Sequence, residues 1–270
     1  MIESSESPLA KLQSEFDAES VFARKLFAKA SKLIPSTTEI AEAAIQTSIS
    51  EKLSDPAYLK DNFSELVSQI QLAAYFAYLE AERLACGNVL GDMLAYEVSG
   101  TDPNEVKSAI TSRFFTLDRF FLSLTQSRRT RAGATFEAVV SVLFKALDYT
   151  YSPQPYIGDS RPDFVLPNIE HYQNYATDCL IFTCKRTLRE RWRQVVTEGM
   201  AGQAVFLATI DERLSKPELS RMKAQNVIVV VPRTLKSELY LDALNVISFE
   251  DFFDHHLDPA IKRWKSTGVI

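Results

Sequence analysis

After about Tyr149 the chain becomes a series of short apolar runs with turn-forming or charged stretches between them, and this limits the fold more than any other feature. Asp163-Phe-Val-Leu, Cys179-Leu-Ile-Phe-Thr-Cys-Lys185, Ala204-Val-Phe-Leu-Ala-Thr and Val227 to Val231 are rich in β-branched and aromatic residues and too short for helices. They predict four strands, with Val246-Ile247 as a short fifth. Helical patterning fills the gaps at roughly 187–200, 216–224, 234–240 and 249–264. Strands alternating with helices bury both sheet faces, so the expectation is an α/β fold with a mixed sheet flanked by helices.

Upstream the texture differs. Ala, Leu, Glu, Lys and Gln dominate the first 110 residues. Apolar residues recur at helical spacing in Phe22, Leu26, Phe27 and Ala30, and again through Phe63, Leu66, Ile70, Ala74 and Ala77. Ser54-Asp55-Pro56 and Thr101-Asp102-Pro103 have the form of helix starts. Ile110–Leu124 and Thr135–Leu147 read as two further helices, separated by the basic, polar stretch Gln126–Gly133. The division expected from these patterns is an all-helical N-terminal part, 1–110, and an α/β core, 111–270.

Composition excludes several classes. With 46% hydrophobic and 24% charged residues, the chain is neither disordered nor collagen-like. Its three cysteines, Cys86, Cys179 and Cys184, form no CxxC or Cys/His cluster, so they read as free thiols of a reducing prokaryotic cytoplasm, and a zinc site is not expected. The polar N-terminus lacks the pattern of a secretory signal, and no apolar run approaches the ~20 residues of a membrane span. A net charge of -5 argues against a general nucleic-acid coat but leaves room for an enzyme with basic residues gathered in one cleft. No GxSxG, HExxH or GxxxxGK[ST] motif occurs, and His171, His255 and His256 are scattered.

The chemistry concentrates in one segment. Asp163 opens the first strand and Lys185 closes the second, 22 residues later. Neighbouring strand ends can bring a carboxylate and an ammonium to one sheet edge. A carboxylate there can hold Mg²⁺, and a lysine beside it can orient water or stabilise charge on a phosphate. The usual second acid, two residues before the lysine, is replaced by Thr183. Beyond Lys185, five basic residues fall within nine positions, in Lys185-Arg-Thr-Leu-Arg189-Glu190-Arg191-Trp192-Arg193. Leu188, Trp192 and Val195 make an apolar helical stripe that would seat this segment on the sheet. Arg reads guanine by a bidentate contact and Glu accepts from the cytosine amino group, so Arg189 and Glu190 suit G·C pairs in a major groove. Glu198, 13 residues after Lys185, can return to the site as the missing carboxylate. Charge runs are most often solvated helix faces; here the accompanying acids and lysine favour the functional reading.

Asp163, Lys185 and Glu198 in this order and spacing resemble the permuted PD-(D/E)xK active site of type II restriction endonucleases. Cys184-Lys-Arg-Thr-Leu-Arg-Glu-Arg-Trp-Arg-Gln194 resembles the catalytic and recognition segment of the EcoRII, SsoII and PspGI group, which cuts before the CC of CCNGG or CCWGG sites. Arg131-Ala-Gly-Ala-Thr-Phe-Glu137 resembles that group's RAG-x-x-FE segment, and Gln126, 11 residues before Glu137, matches a glutamine that reads the minor groove.

The resemblance implies that Asp163 and Glu198 ligate Mg²⁺, that Lys185 is catalytic and that Glu137 acts near the metal. It implies that Arg189, Glu190 and Arg191 contact the C·G pairs and that Gln126 reaches the centre of the site. Arg128, Arg129 and Arg131 are expected on the DNA backbone, where contacts position without reading sequence. Several members of the group flip the central base pair onto an aromatic ring. One relative's stacking tryptophan falls on Ala73, which leaves Tyr75, Phe76 and Tyr78 as the rings for that role, against a plain core or interface role. The implied protein is a homodimeric restriction endonuclease acting on double-stranded DNA, leaving 5′ overhangs, with a cognate DNA methyltransferase as companion and no membrane association. The alternatives are a non-catalytic sequence-specific DNA-binding module and a repair nuclease on the same fold.

Overall fold

The computed structural model describes residues 7–98, 100, 102–188, 192–195 and 203–270. They form two compact units, neither continuous in sequence: one comprises residues up to Ser36 with Tyr75–Arg131, the other Thr37–Ala74 with Ala132–Ile270.

The first unit is helical. It contains α1 (Pro8–Leu33), α5 (Pro103–Ser112) and parts of two long helices, α4 (Phe63–Glu97) and α6 (Phe114–Ala146). Ser7 caps α1 by accepting from the Ala10 amide at 3.2 Å, and Pro8 supplies a preset φ at the first turn. Asp102 and Pro103 start α5 in the same way, as their sequence pattern predicts. Ala23, Leu26, Ala30, Cys86, Val89, Met93, Phe120 and Leu124 form its core.

The second unit, which also holds α2 (Thr37–Ile49) and α3 (Pro56–Asp61), is built on a six-stranded sheet in chain order: β1 (Ser152–Pro153), β2 (Phe164–Leu166), β3 (Leu180–Cys184), β4 (Val205–Ala208), β5 (Val227–Val231) and β6 (Val246–Ser248). β1, β2 and β3 pair antiparallel; β3, β4, β5 and β6 pair parallel. The mixed sheet is therefore as expected, and each predicted strand is present. β1 has two residues and no alternation to betray it, and α7 (Ile169–Tyr175), capped by Asn168, was likewise not marked by periodicity. The helical patterning at 216–224, 234–240 and 249–264 corresponds to α9 (Lys216–Ala224), α10 (Arg233–Glu238), and α11 (Phe249–Phe252) with a π-helical turn (Phe253–Leu257) and α12 (Asp258–Ser266).

Period-two alternation divides the sheet's side chains between its faces. Val165, Ile181, Val205, Leu207 and Val229 pack with Tyr172 of α7, Leu219 and Met222 of α9, Leu188, and Trp192 of the short α8 (Trp192–Val195). Phe164, Phe182 and Phe206 face the other way into an aromatic cluster. Phe144 of α6 lies 5.4 Å from Phe182, and Phe252 lies 4.9 Å from Phe182 and 4.8 Å from Phe206, centroid to centroid. The sheet is thus covered on both faces, which is why its strands read as continuous apolar runs.

The expected break at Gln126–Gly133 is corrected: α6 runs through it without interruption. The stretch contains no proline, and Gln, Arg and Ala are good helix formers. Gly133 alone costs about 1 kcal/mol relative to alanine, and buried Phe120, Leu124, Phe136, Val139 and Val140 on either side anchor the helix.

Candidate active site

The register of β2 against β3 builds the site. Phe164 pairs with Phe182 in an antiparallel ladder, so one step outward Asp163 stands beside Thr183 at the sheet edge. Asp163 is buried, and its Oδ2 accepts from Thr183 Oγ1 at 2.8 Å, the Cys184 amide at 2.6 Å and Lys185 Nζ at 3.0 Å. Lys185 Nζ also donates to Thr183 Oγ1 at 3.0 Å. The lysine is fixed from its backbone too, since its amide donates to the Ala208 carbonyl of the neighbouring parallel strand at 2.9 Å. Thr183, in the position where an acid is usual, is fully buried and ties the lysine and the aspartate together.

Glu137 belongs to the same unit. It projects from α6 between buried Phe136 and Ala138, and its half-buried carboxylate accepts from Gln154 Nε2 at 2.6 Å. Burial and the negative charge of Asp163 push the Glu137 carboxyl above the usual carboxylate range; Gln154, Lys185 and Arg161 pull the other way without cancelling the effect. Gln154 was not found by sequence reasoning. Its backbone takes a left-handed φ of 45°, its amide donates to the Asp163 carbonyl at 2.9 Å, and its own carbonyl accepts from Arg161 Nε at 3.0 Å. It therefore links α6 to the strand that carries Asp163. A lone glutamine in Ser-Pro-Gln gives no sequence signal for that role.

Of the other predicted residues, Arg189, Glu190, Arg191 and Glu198 lie outside the described residues. Leu188 and Trp192, flanking the reading segment, are both buried against the sheet as the apolar stripe predicts, but the helix expected from 187 is absent at Leu188, which is not helical and precedes α8. Among the described residues, no group of three or more His, Cys, Asp or Glu side chains is gathered to hold a metal. The donors present do fit a hard divalent cation. Asp163 and Glu137 are oxygen donors that feel each other's charge, and among the described residues the donors to Asp163 all bond its Oδ2. The thiols are ill suited to nucleophilic chemistry: all three cysteines are buried, and burial pushes Cys179 up to about 12.

The helical unit carries the remaining candidates. Gln126 and Arg129 are exposed on α6. Arg128 Nε donates to both carboxylate oxygens of buried Glu82, at 2.9 and 3.1 Å, and Tyr78 donates to the same carboxylate. Arg131 donates to the Pro35 carbonyl at 2.9 Å and lies over the Tyr78 ring. On α4, Tyr75 and Phe76 are exposed at 47% and 60%, whereas Tyr78 is 5% exposed.

The chain is similar to known proteins in both sequence and fold. The chain is 30% identical over 158 residues to the type II restriction enzyme SsoII of Shigella sonnei, covering 54% of this chain and 52% of that one. It is 28% identical over 138 residues to the type II restriction enzyme EcoRII of Escherichia coli, covering 48% of this chain and 34% of that one. This chain thus spans about half, or less, of the length of the curated relatives it matches. Its fold matches metal-depleted Ecl18kI in complex with uncleaved DNA with a TM-score of 0.78 at 22% identity, over 90% of this chain and 85% of that one. It matches the PspGI–substrate DNA complex with a TM-score of 0.63 at 21% identity, over 87% of this chain and 96% of that one. These likenesses establish the PD-(D/E)xK restriction-endonuclease fold. The family described as EcoRII C terminal matches residues 100–253, more than half of the chain and the whole of the span from Gln126 to Glu198, and this chain belongs to it.

Proposed function

We propose that this chain is a type II restriction endonuclease that hydrolyses double-stranded DNA at a palindromic site containing CC-N-GG, either CCNGG, CCWGG or a flanked version. The observation that carries this reading is the sheet-edge contact of Lys185 with Asp163 beside the half-buried Glu137. Pure DNA binding has no need of a buried carboxylate tied to a lysine, so the alternative of a non-catalytic module is the weaker one.

In this reading Asp163 and Glu198 would hold Mg²⁺, with Glu137 near it, and the ion would supply polarisation of the phosphate and a lowered pKa for water. The chain's own residues do the positioning. Asp163 keeps Lys185 at the sheet edge, and Thr183 restricts the ammonium to one orientation. There Lys185 Nζ aligns the attacking water and stabilises the charge that builds on the phosphate oxygens. Water attacks phosphorus in line, and the bond to the 3′ oxygen breaks, leaving a 5′-phosphate and a 3′-hydroxyl. Cutting before the CC on each strand gives 5′ overhangs.

Arg189, Glu190 and Arg191 read the C·G pairs from the major groove, and Gln126 reads the centre of the site from the minor groove. Arg129 makes the main backbone contact, while Arg128 and Arg131, already engaged by Glu82 and the Pro35 carbonyl, border it and contribute less. The central base pair is flipped. Unstacking costs a few kcal/mol and is offset by stacking on an aromatic ring, a role that falls to Tyr75 or Phe76, since Tyr78 is covered. A palindrome is matched by two-fold protein symmetry, so the chain acts as a homodimer, its helical N-terminal part (1–110) serving dimerisation and the DNA clamp and its 111–270 part the chemistry. Its place is the prokaryotic cytoplasm beside a cognate methyltransferase. No helix among the described residues is long and apolar enough to cross a membrane.

The test is digestion of phage DNA with the purified protein and Mg²⁺, followed by sequencing of the fragment ends. The expected result is uniform ends beginning with CC, with GG across the cut. Cleavage without a common sequence would remove the recognition assignment but keep the active site. No cleavage with Mg²⁺ or Mn²⁺ would overturn the enzymatic reading in favour of the binding module.

A further inference from the structure

The backbone ladder between β3 and β4 ends at the pair Cys184 and Ala208, followed by the bond from the Lys185 amide to the Ala208 carbonyl at 2.9 Å. The pairing nevertheless continues, carried by side chains. Thr209 Oγ1 donates to the Arg186 carbonyl at 3.2 Å, and Asp211 Oδ2 accepts from the Leu188 amide at 2.9 Å. Both side chains are buried, Thr209 at 0% and Asp211 at 5% exposure. Residues 185–188 are thus stitched rung by rung to 208–211, from the catalytic lysine to the residue immediately before Arg189.

Asp211 is itself held on all sides. Its Oδ1 accepts from the Arg213 amide at 3.1 Å, its amide donates to Thr209 Oγ1 at 3.1 Å, and its carbonyl accepts from Tyr240 Oη at 2.7 Å. Tyr240 Oη accepts in turn from the Leu214 amide at 3.2 Å. A buried carboxylate is costly unless its lone pairs are used. A plain turn after β4 has no requirement for one, and the backbone amide it satisfies is the last before the reading segment.

We infer that Asp211, with Thr209, is a positioning residue for DNA sequence readout: it fixes the point at which the chain leaves Lys185 and enters Arg189-Glu190-Arg191, and so sets the distance between the scissile phosphate and the bases that are read. Bidentate base recognition tolerates little displacement of its guanidinium, whereas phosphate contacts are far more forgiving. Loss of the clamp therefore weakens discrimination more than it weakens binding to DNA as such. This inference rests on the assignment of Arg189, Glu190 and Arg191 to base reading.

The experiment compares wild type, Asp211→Ala, Asp211→Asn and Thr209→Val. Each is titrated, with Ca²⁺ in place of Mg²⁺, against a duplex carrying the sequence recovered from the fragment ends and a duplex with that sequence scrambled. In Asp211→Ala the ratio of the two affinities falls by about tenfold, the order of one good base contact, while affinity for the scrambled duplex is unchanged. Asp211→Asn, which retains an acceptor for the Leu188 amide, recovers part of the ratio. Thr209→Val gives a smaller loss in the same direction and decides the matter if Asp211→Ala does not fold. A purely structural role would lower the melting temperature or the active fraction and leave the ratio alone; that result overturns the inference. If wild type itself does not distinguish the duplexes, the base-reading assignment fails and the inference falls with it. If wild type discriminates and the folded variants discriminate equally, only the clamp is refuted.

Discussion

The edge of β2 and β3 and the basic stretch of α6 both place cationic side chains beside carboxylates, yet they are built differently. At the strand ends, the Lys185 ammonium meets Asp163 because two antiparallel strands in fixed register bring their ends together, and Thr183 and the Cys184 amide share the same carboxylate oxygen. On α6, three arginines within four positions meet three different fates. Arg128 is bound to a buried glutamate, Arg131 to a carbonyl and an aromatic ring, and Arg129 stands exposed. Strand pairing makes partners of residues far apart in sequence with little freedom. A helix surface turns successive residues about 100° apart, so like residues acquire unlike roles.

The largest expected effect breaks this comparison on the strand side. Asp163→Ala and Lys185→Ala should each lower single-turnover cleavage by a factor on the order of 10³ or more, with the elution volume in size-exclusion chromatography unchanged. Cleavage at the wild-type rate in either variant would show that the sheet edge is not where the chemistry happens. Next comes the helical side. Arg128→Ala leaves the Glu82 carboxylate buried with its Tyr78 contact alone, and should cost about 1–3 kcal/mol of unfolding free energy, the lower part of the range reflecting the half-exposed guanidinium. Adding Glu82→Gln to Arg128→Ala should restore part of that loss in a urea titration. A double variant as unstable as the single would mean that the pair contributes nothing specific.

The paired strand ends and the helix α6 differ in how much of each is legible in the sequence. Asp163 and Lys185 were readable because strand period and strand-end position together fix which residues share an edge, and each strand announced itself by a run of apolar residues too short for a helix. Glu137 was legible only through the resemblance, since nothing in the pattern of α6 says which of its polar residues faces the sheet edge. Gln154 was invisible: its contribution depends on a left-handed φ of 45° and a contact across to α6, and neither has a local signature. The continuity of α6 was misread because a cluster of polar residues resembles a loop when tertiary burial on either side is left out of account. The unit boundaries at 74/75 and 131/132 fall inside helices, where composition does not change.

Glu137 allows a third and smaller test, of the electrostatics at the strand edge. Its carboxyl is held above the usual range by burial and then by the charge of Asp163. The folded chain therefore binds that proton more tightly than the unfolded chain does. The associated stability is fully present below the ordinary carboxylate pKa and is lost as pH rises through the raised one. Thermal melts in EDTA from about pH 4 to about pH 8 should show the wild type falling relative to Glu137→Gln across that window, by about 1.4 kcal/mol for each unit by which the carboxyl is raised. Parallel curves for the two proteins would mean that Glu137 ionises as freely as a surface glutamate, and the burial that distinguishes it from the α6 surface residues would have no energetic consequence.

The smallest effect separates the arginines of α6 from one another. A side chain that neutralises one phosphate releases condensed counterions, and its removal lowers the slope of log affinity against log salt by about 0.9. Arg129→Ala should show that reduction on cognate and scrambled duplexes alike, with no change in melting temperature, because the residue is exposed and a phosphate contact carries no sequence information. Arg128→Ala should show the reverse: a lower melting temperature and a salt slope closer to wild type, because its guanidinium is already bound to Glu82 in the absence of DNA. Equal slopes for both variants would mean that Arg128 exchanges Glu82 for a phosphate when DNA arrives. Arg128 would then be a DNA-binding residue held neutralised by Glu82 until DNA arrives, and its difference from Arg129 would be one of timing instead of geometry.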